Sequence, residues 1–490
     1  LNRTKEQTMN KEKVYDLVVI GGGSAGLSAV GFGLEMGATT ALIERHRVGG
    51  DCTWSGCVPS KSLLKAAKVA HHMRTAATYG VRPVEPEVDM KAVMTHVHEI
   101  IAATYAEETP EVLREKGADV YLGEARFVDP HTLKLDDQLI KARNVVLATG
   151  AHPFVPPIEG VDDVDYLTYE NIWYLEKLPE HLIVIGAGPI GSEMSQAFRR
   201  LGSRVTMVEG GPRMLGRDEP IASEIMMRIF RAEGIDLKLN HHAERIWRDD
   251  EGVHVLAEGE EIVGDALLMS VGRRPNVDAL DLEKAGVEYS ARGIEVNDKL
   301  QTTQPHIYAA GDCLGSYQFT HYAGWQASNA AARNALLPGS SKGIREWVPW
   351  TTFTEPEVAH AGLTEAEARE KYGDEVGTVE WPMERIDRAR AEVDTEGVVF
   401  LVHKGQEVLG ATIVAERAGE IIHEWILALE HGLKVRDLTT TIHVYPTYAR
   451  ATVKAGGRLL QQELLEGRWG DLIHKGGQWA LKFMRWRRGF

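Results

Sequence analysis

Two cysteines, Cys52 and Cys57, stand five residues apart in Gly49-Gly50-Asp51-Cys52-Thr53-Trp54-Ser55-Gly56-Cys57-Val58-Pro59-Ser60-Lys61, in a chain with only three cysteines among 490 residues. Such a pair can store two electrons by opening and closing a disulfide. Ser62–Lys68 reads as helix, and positions five apart on a regular helix lie too far round for an easy bridge. The first turn must therefore be tight or irregular, which Gly56 permits. A bridge there would be strained and accessible, suited to redox exchange more than to stapling. Two other readings stay open on these residues alone. Zinc usually takes four ligands, and no second Cys or His pair stands nearby; the blandest reading is two unrelated buried cysteines.

The elements around the pair sharpen its chemistry. Upstream, Asp16–Ile20 reads as a strand, Gly21-Gly22-Gly23-Ser24-Ala25-Gly26 as a glycine turn opening a small-residue helix, and Thr40–Glu44 as a second strand ending in an acid. Gly21, Gly23 and Gly26 allow a tight turn and close backbone approach, so that a pyrophosphate can rest on the helix N-terminus while Glu44 accepts from a ribose hydroxyl pair. The pattern recurs. Leu182–Ile185 leads into Gly186-Ala187-Gly188-Pro189-Ile190-Gly191, and Val205–Glu209 again ends in an acid; from first glycine to acid the distance is 23 positions in both copies. Two dinucleotide sites imply one cofactor held and one exchanged. Glu209 would pair with the 2′-hydroxyl of NAD and repel the 2′-phosphate of NADP; Arg213, four residues on, could soften that preference.

Composition bounds the rest. The length suggests roughly three domains, 43% hydrophobic content is ample for packed cores, and a formal charge of −16 argues against a general nucleic-acid binder. Few cysteines suit a reducing cytosol. No signal-peptide pattern and no run approaching ~18 apolar residues is present, so a cytoplasmic location is expected. Leu1–Lys13 is polar and reads as frayed, with Met9 a candidate natural start.

The motifs GGGSAG, GGDCTWSGCVPSK, VVLATG (145–150), GAGPIGSE, SVGRRPN (270–276), IYAAGDC (307–313) and YPT (445–447) together resemble the pyridine-nucleotide:disulfide oxidoreductases, the family of dihydrolipoamide dehydrogenase, glutathione reductase and mercuric reductase. The likeness runs from about Tyr15 to Arg450. It implies an α/β fold with two Rossmann-like domains and a C-terminal α+β dimerisation domain in a homodimer. The implied divisions are an FAD domain split into 1–150 and 278–345, an NAD(P)H domain over 151–277, an interface domain over 346–466 and a tail over 467–490. Carried over by resemblance, Cys57 is the thiol beside the flavin and Cys52 the one that exchanges with substrate. Lys61 lies near the flavin N5 with Glu193 as its carboxylate partner, where a cation favours the reduced ring and needs a counter-charge if buried. Asp312 holds the ribityl–phosphate portion of FAD. Ala125, Thr149, Gly150, Gly272 and Thr320 complete the cofactor set, NADH is the expected donor with NADPH less favoured, and no metal site is expected. Cys313 reads as a buried small residue.

The chain departs from the family where acid–base chemistry is normally done. Disulfide reductases of this family carry His-Pro-Thr with a Glu five residues after the His; here those positions hold Tyr445 and Arg450. A phenol titrates near pH 10 and is a poor proton-transfer partner at neutral pH. Mercuric reductases resemble this chain at Tyr445, and Tyr166 matches a second tyrosine of their metal site, but no terminal cysteine pair follows Cys313 here. His443 is an alternative base if it points the same way as Tyr445; packing at an interface is the plainer role for the tyrosines. The expected acceptor is Hg(II) or another thiophilic species, with a low-molecular-weight disulfide, as for dihydrolipoamide dehydrogenase, as the alternative. A redox-sensing, flavin-bearing interaction protein is the reading from a different class. Finally, 468–490 holds six Lys or Arg against one Asp, with Trp479, Phe483 and Trp486 at helical spacing. That is a basic amphipathic helix of the kind that lies on the inner face of a membrane or on a partner, or docks at a dimer.

Overall fold

A computed structural model describes residues 13–463 and 470–488. The expectation of a frayed start therefore falls almost wholly outside the described residues, as do 468, 469, 489 and 490 of the basic tail. The chain divides into two compact units. The first takes the chain up to Gly186, then Ala197–Val205 and Ala243–Glu346; the second takes Ala187–Gln196, Thr206–His242 and everything from Trp347 on. The segment 151–277, expected to be one nucleotide domain, is thus shared between the units along the chain.

In the first unit, β1 (Val14–Ile20), α1 (Ser24–Glu35) and β2 (Thr40–Glu44) form the expected strand–turn–helix–strand. The sheet runs β3 (Asp119–Leu122), β2, β1, β6 (Gln138–Leu147), β5 (Thr132–Leu135), β4 (Ala125–Asp129), and strand Ile307–Ala309 also pairs with β6. β1 is parallel to β2 and β6, and Ile307–Ala309 is parallel to β6. Adjacent residues feed opposite faces: Leu17, Val19, Leu42 and Val146 enter one core, and Val18, Ile20, Ile43, Val145 and Leu147 the other. A sheet covered on both faces needs continuous apolar strands in place of alternation, which is why VVI and VVL read so plainly. The end of β1, and the end of strand His181–Ile185 outside this sheet, each carry a glycine turn. Gly21 has φ +105°, and a Cβ there would lie 2.1 Å from Ala148 O; Gly186 has φ +100° and meets Ser270 O at 2.6 Å. The two turns repeat in geometry as well as in spelling, because an L side chain would enter the neighbouring strand in both.

The second unit is built on a five-stranded antiparallel sheet in the order Trp350–Thr352, Glu357–Gly362, Glu407–Ala415, Val398–Lys404, Gly377–Pro382. Trp425, Ala451, Ala455 and Leu459 from its helices close that core. The same unit holds Thr206–Glu209 paired in parallel with Asp236–Leu239.

Candidate redox and nucleotide site

The cysteine stretch folds as two helices with a break between them. Cys52 lies on α2 (Gly50–Trp54), and Cys57 is the first residue of α3 (Cys57–Thr75). At the break the N–H groups of Ser55 and Gly56 both donate to Asp51 O, at 2.9 and 2.5 Å. Trp173 Nε1 donates to Ser55 O at 3.0 Å, Trp54 Nε1 to Val48 O at 2.7 Å, and Thr53 Oγ1 to Glu108 at 3.0 Å. The irregular turn that Gly56 was expected to permit is thus pinned from both sides. Both cysteines are thiols, Cys52 half-buried and Cys57 exposed. The hydrogen bond to the Cys57 thiol, followed by burial, pushes the Cys52 thiol far above its ordinary range. Cys57 Sγ also lies 3.3 Å from Thr320 Oγ1.

Cys52 faces a cleft of about 410 Å³ lined by Gly21, Gly22, Gly23, Glu44, Thr149, Gly150, Asp312 and Thr320 among others. No side chain caps α1, whose N-cap is Gly23, so the positive helix end opens on this cleft. A Cβ on Gly50 would stand 2.6 Å from Gly23 Cα, so the second loop can approach the first this closely only with glycine at position 50. Glu44 accepts from Gly22 N at 2.6 Å and from His46 N at 2.8 Å. In the second unit Glu209 repeats this, accepting from Ala187 N at 2.8 Å and Gly211 N at 2.7 Å. Each carboxylate is oriented by charge-assisted bonds, worth about 1.5–3 kcal/mol apiece, and keeps lone pairs for hydroxyl donors. The uncapped helix, the glycine cradle and the oriented acid fit a dinucleotide such as FAD.

Sequence reasoning missed the strongest electrostatic feature of the cleft. Arg273 forms an ion pair with Asp312 at 2.5 Å and a second with Asp51, the residue just before Cys52. Its Nε lies 3.1 Å from Tyr169 OH, which in turn reaches Asp51 at 3.4 Å. Burial pushes the Asp51 and Asp312 carboxyls up while Arg273 pulls both down; burial likewise raises Tyr169 and, aided by Asp51, Glu170. Buried charges of this kind are tolerable only when paired. Both Asp51 and Arg273 stood inside quoted motifs, yet they are 222 residues apart, and no local pattern announces such a pair.

Several predicted residues sit elsewhere than the cleft. Ala125 is buried in the sheet core at the start of β4 and is not among the residues lining the cleft. Gly26 is a packing residue, since a Cβ there would fall 1.7 Å from Gly21 O. Gly272 lends its carbonyl to Phe154 N at 3.0 Å. Tyr166 is half-buried, accepts from Asn171 through its carbonyl at 3.2 Å and is not among the lining residues; Tyr169 is the tyrosine tied to Asp51. Lys61 lies on α3 with Nζ 3.3 Å from Ser60 Oγ. Glu193 is buried on helix Pro189–Leu201, where it accepts from Phe353 N at 3.0 Å. Gly188 and Gly191 open that helix, and Gly188 O accepts from Ser192 N at 2.9 Å. Arg213 is spent on its own loop, donating to Asp218 O and Gly216 O at 2.9 Å, and so does not stand free for a phosphate. Cys313 is buried in the core, where burial pushes its thiol up to about 12.

Tyr445 and His443 point differently, which goes against the alternative of His443 as a base and fits a packed histidine. Tyr445 is 66% exposed, its phenol donating to Asp387 at 3.2 Å. The His443 side chain is 7% exposed, with Nε2 3.1 Å from Glu424 and Nδ1 2.9 Å from Thr441 O. Both ring nitrogens face oxygen acceptors, so neither lone pair is presented to a substrate. The Ile442–Ala449 segment runs as irregular turns, and a turn does not keep the two-residue alternation that would align 443 with 445.

Comparison with known proteins agrees with this geometry. Residues 15–327 match the family "Pyridine nucleotide-disulphide oxidoreductase", and 348–455 match its dimerisation domain. The chain is 38% identical over 442 residues to a mercuric reductase of Bacillus cereus, covering 89% of this chain and 70% of that one. It is 34% identical over 472 residues to a dihydrolipoyl dehydrogenase of Thermus scotoductus, covering 92% and 99%. Among solved structures it superimposes on the HOCl-induced flavoprotein disulfide reductase RclA of Escherichia coli in its Cu(II) complex, with TM-score 0.81, 29% identity and coverage of 89% and 98%. LpdA from Mycobacterium tuberculosis gives 0.82, 28%, 90% and 99%. The paired glycine turns, the dithiol beside the first of them and the matched domains make this chain a member of the pyridine nucleotide-disulphide oxidoreductases, FAD-dependent enzymes working with NAD(P)H.

Proposed function

We propose that the protein is a homodimeric flavoenzyme that draws electrons from NADH and delivers them through Cys52 and Cys57 to a thiophilic acceptor, Hg(II) or a comparable soft metal ion. The observation that carries the choice of acceptor is the exposed Tyr445 phenol, with Arg450 five residues on, where a dithiol reductase of this family needs an imidazole and a carboxylate. A metal held by two thiolates takes two electrons without an imidazole proton step. The likeness to mercuric reductases and to a flavoprotein described as a Cu(II) complex supports that class. The likeness to dihydrolipoyl dehydrogenase keeps a small disulfide as the second reading.

FAD would rest against α1, Glu44, Thr149–Gly150 and Asp312, in a domain read as 1–150 and 278–345, and the nicotinamide nucleotide against the second turn and Glu209 in 151–277. When bound, FAD supplies the two-electron relay between nicotinamide and the cysteine pair. The chain's own part is to keep the two sulfurs adjacent, to give the cysteine nearest the acceptor a half-open face, and to hold Asp51 neutralised by Arg273 so that no bare carboxylate abuts a forming thiolate. Lys61 and Glu193 are read as the cation and counter-charge near the flavin. The interface region 346–466 is read as the dimerisation domain and the tail as a contact surface outside the redox chemistry.

The test is a steady-state screen of NADH oxidation by the yellow holoenzyme against Hg(II), Cu(II), lipoamide, glutathione disulfide and a quinone. Many turnovers with a soft metal ion, and slow turnover of both disulfides, are expected. Bleaching of the flavin by NADH with no turnover on any acceptor would instead mark a sensor, and faster reduction of lipoamide would select the second reading. In the same assay NADH should give the higher kcat/KM, because Glu209 repels a 2′-phosphate and Arg213 is engaged on its loop. Glu209→Ala should narrow that lead by about tenfold, roughly 1.4 kcal/mol. Wild-type kinetics favouring NADPH would remove this reading of the second turn.

A further inference from the structure

The helix Gly470–Arg487 presents a surface that the redox chemistry does not use. From Lys475 to Arg488 every residue is exposed. Trp479 is 69% and Trp486 76% exposed. Trp479 lies against Phe483, and Phe483 against Trp486, with ring centroids 5.8 Å apart in both pairs. Spacings of four and three residues put these rings in one stripe along the helix. At about 100° per residue, Lys475 and Lys482 border one side of the stripe and Arg487 the other. No Asp or Glu occurs between Lys475 and Arg488, in a chain whose formal charge is −16. By contrast, helix Arg450–Gln461 packs in the ordinary way, burying Ala451, Ala455 and Leu459.

We propose that this helix lies flat on an anionic lipid bilayer, with Trp479, Phe483 and Trp486 in the headgroup boundary and the flanking Lys475, Lys482 and Arg487 on the lipid phosphates, while Arg485 and Arg488 add to the local positive charge. Three observations select a bilayer over other occupants. The stripe is aromatic, and tryptophan is the residue that stands at a water–lipid boundary, one edge apolar and one a donor. The charge is of one sign and local, so a second copy of the same helix would meet its own repulsion in a symmetric pairing. Lys482 and Arg485 interrupt the apolar run of the helix, and among the described residues no helix is long and apolar enough to cross a membrane; contact in the plane is the arrangement that remains for lipid. The consequence is a redox enzyme concentrated at a membrane surface, whatever its acceptor.

Co-sedimentation of the full-length holoenzyme with vesicles of phosphatidylcholine, with and without phosphatidylglycerol, tests this. Binding is expected only with phosphatidylglycerol and should weaken as salt is raised. Lys482→Gln with Arg485→Gln, Arg487→Gln and Arg488→Gln, and separately Trp479→Ala with Trp486→Ala, should each lower the bound fraction at least tenfold, while flavin content and NADH oxidation stay as in the wild type. Equal binding to both vesicles, binding to neither, or binding untouched by the variants would overturn the proposal. Concentration-dependent association of the lipid-free enzyme, abolished by Trp479→Ala with Trp486→Ala, would overturn it in favour of a second copy.

Discussion

Cys52→Ser and Cys57→Ser should each cut NADH-driven reduction of the acceptor by at least about 10³-fold, since removing one member of a two-part reacting centre removes the function of both. The two variants should differ in colour. On two-electron reduction the wild type should develop a long-wavelength absorbance shoulder from a thiolate lying against the flavin; Cys57→Ser should abolish it and Cys52→Ser should keep it. The comparison separates the two thiols, because Cys52 lines the cleft and Cys57 lies 3.3 Å from Thr320, another residue of the same lining. Loss of the band in Cys52→Ser, with survival in Cys57→Ser, would reverse the two roles. Cys313→Ser should leave the band intact, as that thiol is buried in the sheet core.

Tyr445→His combined with Arg450→Glu should raise turnover of lipoamide or glutathione disulfide toward the 10²–10⁴-fold that a positioned acid–base group contributes. The expectation follows from chemistry at one surface. A dithiol attacking a disulfide must lose a proton and the leaving thiolate must gain one, and position 445 offers an exposed phenol bonded to Asp387 in place of an imidazole. The gain requires that Tyr445 face Cys52 across the dimer. Tyr445→Phe should instead impair reduction of a soft metal ion if the phenol oxygen helps to hold it. Fast wild-type reduction of lipoamide, unchanged by Tyr445→Phe, would mean that another group supplies the proton, and the division between metal and disulfide chemistry would fall. His443 is a poor substitute for that group as folded, because Glu424 and Thr441 occupy both its nitrogens.

The local features of this protein were legible in its sequence because local physics produces them. Two glycine turns must bring backbone against backbone at a strand end, so only glycine serves at Gly21 and Gly186 and the spelling repeats. Strands buried on both faces must be apolar throughout, so β1 and β6 announce themselves. Cys52, Cys57 and the break at Gly56 lie within one turn of chain, and Glu44 and Glu209 follow their turns at a fixed distance. Residues joined only by tertiary structure were not legible. Arg273, on the short strand Arg273–Pro275, meets Asp51 on α2 and Asp312 just after strand Ile307–Ala309, and ion pairs formed between elements so far apart in sequence leave no periodicity to read. The choice of Tyr169 over Tyr166 beside Asp51, the diversion of Arg213 onto its own loop and the inward turn of His443 away from Tyr445 are of the same kind. Each depends on where an irregular segment aims a side chain, and backbone direction in a turn is set by packing partners that sequence spacing does not encode.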